Sequence, residues 1–189
     1  KTAQLVKESE AKAKIAAEKK AQREQELNEQ AIVSVKAGDI DESIKLFEQL
    51  IKLNPAYPFA FSNLALQLLK KGNRIGARAL FSKAIEHNSN DATAYNHLAQ
   101  MQRQEGLFEQ AYENYRKALA LNENYTNAHL NLGILLDIYL QRLPEALEQY
   151  QIYQRLIMQL EDEQSKEQLQ LVEKWIADIE RRIESNGEK

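Results

Sequence analysis

Two markers recur along this chain at one fixed interval. Gly38-Asp39, Gly72-Asn73 and Gly106-Leu107 stand 34 residues apart, and Asn54-Pro55, Asn88-Ser89 and Asn122-Glu123 keep the same spacing. A period of about 34 residues restricts a chain to stacked supersecondary units, because each unit is a short pair of elements that must lean on its neighbours. Glycine supplies the left-handed turn between two helices, and Asn followed by Pro or a polar residue stops one. Little else interrupts a helix: the 189 residues include only six Gly and three Pro. Each interval is therefore read as two antiparallel helices, with the glycine at their turn and the asparagine closing the second. One such pair cannot bury its own apolar face, so the pairs must stack into an all-α array.

In register, the units show a multi-position pattern. Residues 24–57 supply Ala31, Phe47 and Pro55, with Gln30 and Ser34 at two places where the family pattern named below has Leu and an aromatic. Residues 58–91 supply Phe61, Leu64-Ala65, Leu68, Ala77, Phe81 and Ala84. Residues 92–125 supply Tyr95, Leu98-Ala99, Ala111, Tyr115 and Ala118. The fourth unit, 126–162, has Asn131-Leu132-Gly133 but reaches Ala146 and Tyr150 one residue late. The extra residue lies between Asp137 and Pro144, and the spacing predicts a longer turn re-entering a helix at Pro144. Small Ala and Gly let helices approach, and large residues fill the space between them. This pattern resembles the tetratricopeptide-repeat (TPR) family. The resemblance implies an all-α TPR solenoid of four helix-turn-helix repeats, with a charged N-terminal helix and a C-terminal capping helix.

The two ends read differently. Residues 1–23 are rich in Ala, Lys, Glu and Gln, and through Glu24 carry seven basic and four acidic side chains. Leu5, Val6 and Ile15 are too sparse for a packed face, so a solvated helix or linker is expected, with a stalk or coiled coil as the alternative. In residues 163–189, by contrast, Leu169, Val172, Ile176, Ile179 and Ile183 recur at steps of three and four, with Trp175 beside them. That is an apolar stripe able to cover the last repeat, entered through the acidic turn Glu161-Asp162-Glu163.

Candidates for chemistry are few. There is no Cys, so no disulfide or thiolate metal site can form, and the redox compartment stays open. His87, His97 and His129 share no ligand spacing. Asp39 and Asp41 sit where acids cap a helix start. No phosphate-binding glycine loop, nucleophile elbow or HExxH helix occurs. No catalytic residue, metal site or cofactor is expected, and the chain does not read as an enzyme. Net charge is −3, and residues 25–160 hold thirteen basic and fifteen acidic side chains, which disfavours nucleic acid as a partner. No apolar run approaches the ~20 residues that span a bilayer.

The family resemblance implies that the first helix of each repeat lines a concave groove. At the corresponding positions stand Phe59, Ser62 and Leu66; Asn96, Gln100 and Arg103; and Asn127, Leu130 and Ile134, with Asp137 and Ile138 beyond. Apolar members would anchor a protein or peptide partner, the amides would bond its backbone, and Arg103 would hold a carboxylate. The family's two-carboxylate clamp for chaperone tails asks for Lys or Arg where Asn28, Asn96 and Gln100 stand, and for Asn where Ile32 stands. Of its positions only Asn63 matches, so that ligand is not expected. The late fourth repeat followed by Lys174-Trp175-Ile176-Ala177-Asp178-Ile179-Glu180-Arg181-Arg182 is similar to the C-terminal half of TPR proteins of the proteobacterial envelope. That likeness implies a bacterial periplasmic or envelope location, with a lipid anchor upstream of Lys1. The expected function is a non-catalytic adaptor or assembly factor, monomeric, with a structural tether built on the N-terminal helix as the alternative.

Overall fold

A computed structural model describes residues 2–160 and 162–187, so Glu161 of the acidic turn lies outside the described residues. Among them there are helices and turns but no strand. In chain order the helices are α1 (Thr2–Ala37), α2 (Ile40–Leu53), α3 (Ala60–Lys70), α4 (Arg74–His87), α5 (Ala92–Gln104), α6 (Phe108–Leu121), α7 (Thr126–Ile134), α8 (Leu143–Ile157) and α9 (Glu163–Gly187). They form two compact units, Lys1–Ser89 and Asn90–Lys189. In the first, α1 pairs with α2 and α3 with α4; in the second, α5 pairs with α6, α7 with α8, and α9 packs on α8.

The markers do what their chemistry requires. Gly38, Gly72 and Gly106 take φ of 79°, 84° and 80° at the turn inside each hairpin, a conformation that costs a side-chain-bearing residue about 1 kcal/mol or more. Asn54, Asn88 and Asn122 leave the helix in extended conformation at the end of α2, α4 and α6. Asp39 caps α2 by accepting from the Glu42 amide at 3.0 Å, and Asn73 and Asp91 cap α4 and α5 in the same way. Asp41, one residue into α2's first turn, instead reaches Lys71 at 2.6 Å.

Two helix boundaries depart from the repeat. α5 and α7 follow caps at Asp91 and Tyr125, which correspond to Tyr57, yet α3 starts only after Phe59. Pro55 and Pro58 account for the delay, since the residue before a proline is driven out of the helical region. Phe59 is left in the left-handed region at φ 61°, a strained place for a bulky aromatic. The second departure corrects the longer turn expected in repeat four. The extra residue is absorbed inside the helix, as a π-helical turn over Leu135–Tyr139 that continues α7. The Leu140 amide donates to the Leu135 carbonyl five residues back, at 3.0 Å. Gln141 then occupies the left-handed position held by glycine in the other hairpins, φ 54°. Its side-chain amide donates to the Asp137 and Ile138 carbonyls at 2.8 and 3.1 Å, satisfying the end of the π turn. α8 begins at Leu143, so Pro144 is its second residue rather than its first.

The core of the first unit gathers Leu27, Ala31, Leu46, Phe47, Leu50, Ala60 and Leu64. That of the second runs from Ala99, Ala111 and Tyr115 through Leu132, Leu135 and Leu136 to Tyr150, Tyr153, Ile157, Val172 and Ile179. Gly133 has to be glycine: a Cβ there would lie 2.6 Å from the Tyr150 ring. The α9 stripe meets this core as its spacing predicts. Val172 and Ile179 are wholly buried, Leu169, Ile176 and Ile183 are partly so, and Trp175 leans on Tyr150 with ring centroids 5.5 Å apart. Leu160 is exposed in the turn before α9. At the other end α1 is one continuous helix. Residues 4–22 are exposed along their whole length, and burial starts near Glu24, which accepts a hydrogen bond from the Asn54 side chain at 3.1 Å.

Candidate functional site

The first helices of the hairpins carry the candidate lining residues, and each unit presents its own set. In the first unit Phe59 is 49% exposed at the head of α3, displayed by the strained backbone described above. Leu66 is partly buried and Ser62 is 1% exposed, packed inside the hairpin with no free surface.

In the second unit the lining is mixed, and part of it is already engaged. Asn96 is 2% exposed; its amide donates to the Tyr125 hydroxyl at 3.4 Å, and its oxygen accepts from Asn131 at 3.2 Å. Its side chain is therefore committed to joining α5 to the head of α7, and a ligand finds Gln100 and Asn127 instead, the first partly buried and the second exposed. Leu130 and Ile134 are partly buried and pack against the core of the unit.

Charge on this side is uneven. Asp137, in the π turn, is bound by Arg182 of α9 at 2.7 Å, and Arg182 also reaches Asp178 at 3.4 Å. Forty-five positions separate Asp137 from Arg182, so the pair could be found only in three dimensions. Arg103 has no carboxylate partner among the described residues. It sits 5.8 Å from the centre of the Tyr139 ring, which itself tilts onto Phe108 at 4.8 Å, and it lies beside the Tyr115 hydroxyl. Burial pushes that phenol up to about 12, and the charge of Arg103 opposes the shift. Among the described residues, neither Arg103 Nε nor the Tyr115 hydroxyl completes a well-formed hydrogen bond. The guanidinium is thus held by an aromatic face rather than an anion, leaving its charge available.

The three histidines lie apart. His87 is exposed and stacks on Phe61 at 4.8 Å. His97 is partly buried, and burial lowers its pKa. His129 is buried with both ring nitrogens engaged. No cluster of three or more His, Cys, Asp or Glu suited to a metal occurs among the described residues.

Residues 27–57 match the family model described as tetratricopeptide repeat, and residues 99–137 match a second TPR repeat model. The chain carries tetratricopeptide repeats. A TPR repeat-containing protein of Methanocaldococcus jannaschii is 33% identical over 91 residues, 48% of this chain and 28% of that one. An uncharacterised protein of Haemophilus influenzae is also 33% identical, over 39% of this chain and 41% of its own length. The chain thus spans less than half the length of these relatives. Among solved structures, Pseudomonas aeruginosa pilF superposes with a TM-score of 0.63 at 16% identity, over 85% of this chain and 76% of that one. The first TPR of Spaghetti, bound to an HSP90 peptide, superposes with a TM-score of 0.56 at 22% identity, over 61% of this chain and 92% of its own. At these identities the structural likeness speaks to the TPR fold alone.

Within that fold the missed features have a common cause. The resemblance names positions on the first helices, and it treats every repeat as equal. The π turn and the Asp137–Arg182 pair arise where repeat four and α9 depart from the average repeat, whereas Asn96 is buried as Ser62 is, its counterpart one repeat earlier.

Proposed function

We propose that this chain is a non-catalytic interaction scaffold that holds an extended peptide or protein segment along its first helices, with residues 1–23 as an arm outside the array. The observation that carries the reading is the charge pattern of the second unit: among the described residues Arg103 stands without a carboxylate partner, one helical turn beyond Gln100 on α5, Asn127 is exposed at the head of α7, and the acid Asp137 is already neutralised by Arg182. A segment bearing one carboxylate would gain a charge-assisted bond to Arg103 and lose none to repulsion, with Asn127 and Gln100 bonding its backbone. Ligand capture by a TPR domain, as in the Spaghetti structure bound to an HSP90 peptide, supports the class of function. The ligand itself is different in this reading, because Asn28, Ile32, Asn96 and Gln100 replace the clamp for two carboxylates.

The test is a peptide array probed with the full chain and with Arg103→Gln. Binders should share an acidic side chain or C-terminal carboxylate, and the variant should bind them at least about tenfold more weakly, the loss of one charge-assisted hydrogen bond. Binders that ignore Arg103→Gln and Asn127→Ala, but vanish when residues 1–23 are removed, would replace the scaffold with a tether acting through its arm.

A further inference from the structure

Between the second helices α6 and α8 the second unit opens a cleft of about 430 Å³, on residues that the first-helix site does not use. Its floor is apolar, formed by Leu119, Leu132 and Leu136, and its size falls in the range of small-molecule sites. The cleft exists because repeat four breaks the pattern. At the fourth position of the four repeats stand Leu27, Phe61, Tyr95 and His129, so a polar ring takes the place of a larger apolar or aromatic side chain. His129 is buried in the cleft wall with Nε2 2.8 Å from the Glu123 carbonyl oxygen and Nδ1 2.8 Å from Gln149 Oε1. The ring is fixed from both sides and cannot swing out to fill the space. Leu136, delivered by the π turn, belongs to the floor, so both departures of this repeat line the same cleft.

The charges at the mouth are not matched among themselves. Glu145 is held by Arg142, whose Nε lies 2.6 Å away, and Arg142 in turn stacks on Tyr112 at 4.3 Å and donates to its hydroxyl at 3.0 Å. That leaves Arg116 on the α6 wall and Glu148 on the α8 wall, both exposed and neither in an ion pair among the described residues. Arg116 rests 5.7 Å from the Tyr112 ring, which supports its cation without neutralising it. A cation on one wall, an anion on the other and leucines between them ask for a ligand that carries both charges at once.

We propose that this cleft binds a small zwitterion, a free amino acid or dipeptide with an apolar side chain, its carboxylate on Arg116, its ammonium on Glu148 and its side chain on the leucine floor. Recognition of both ends excludes the interior of a protein chain, and so separates this site from the peptide-holding face proposed above. The experiment titrates the full, isotopically labelled chain with L-leucine, with L-leucyl-L-leucine and with N-acetyl-L-leucinamide, which has the side chain and neither charge. Saturable shifts of the Gln149 side-chain amide below ~10 mM are expected from at least one zwitterion and not from the uncharged compound. Leucine alone binding marks the free amino acid as the ligand, and the dipeptide alone marks the longer one. Arg116→Gln and Glu148→Gln, both on exposed positions, should each weaken binding by about tenfold or more, and His129→Phe should fill the cleft and abolish it with the fold retained. No saturable shift from either zwitterion, equal binding of N-acetyl-L-leucinamide, or unchanged affinity in both charge variants overturns the proposal.

Discussion

The first five turns of α1 and the whole of α9 are both long, charged helices at the ends of the array, and they differ in almost every physical respect. Residues 4–22 expose everything, including Leu5, Val6 and Ile15, and make solvated pairs such as Lys14–Glu18. α9 sinks Val172 and Ile179 completely into the core it shares with α8, sets Trp175 on Tyr150, and reaches Asp137 through Arg182. Helix propensity is similar in both, so the contrast teaches that spacing of apolar residues decides whether a helix joins a fold. Three scattered apolar residues give an arm, while five at steps of three and four give a cap.

Alkali should separate the two most strongly. Tyr115, Tyr150 and Tyr153 lie in the core under α9, and burial raises the pKa of each. Below pH 10 these phenols are neutral in both folded and unfolded chains. Above it the unfolded chain ionises first, so stability falls as pH rises from 10 to 12, by roughly 2 kcal/mol for Tyr115 alone. Chemical denaturation across that range should show the loss in the second unit, while the arm, which has no tyrosine, keeps its helicity. Next in size, Ile179→Ala should cost about 3 kcal/mol, since it opens a cavity at a fully buried position. Trp175→Ala should cost less, because the indole is only partly buried, and hydrogen exchange should show α8 and α9 loosening before α5 and α6. Arg182→Gln leaves the nearly buried Asp137 carboxylate unpaired and should lower stability by about 1 kcal/mol, read from the same denaturation curves. The smallest effect belongs to the arm: Ile15→Ala should change stability by less than about 0.5 kcal/mol. A larger loss there, or a dimer in light scattering that Ile15→Ala dissociates, would mean the arm packs against something and the contrast fails.

Much of this was legible in the residues. The glycines at 38, 72 and 106 and the asparagines at 54, 88 and 122 mark turns and helix ends because few other residues serve there at low cost. The α9 stripe was equally plain, since one periodicity describes it. Position 59 was readable as an apolar residue but not as a left-handed one, because that follows from two prolines acting together on the turn before α3. The count of residues revealed an insertion in repeat four, yet it carried no information on whether a loop or a helix would absorb it. Gln141 decided the matter by satisfying the π turn's carbonyls, a contact no spacing rule encodes. The groove positions were inherited from an average repeat, and burial of Ser62 and Asn96 shows how local packing reassigns a surface position to the interior.

In the proposed function a partner segment lies along the first helices of the second unit and is held there by Arg103. Nitrogen-detected chemical-shift mapping of the full chain with an array-selected acidic peptide tests it most directly. The account expects saturable shifts at Gln100, Arg103, Asn127, Leu130 and Ile134, lost in Arg103→Gln and absent from residues 4–22. Shifts confined to the arm, with the first helices of the second unit unmoved, would contradict it.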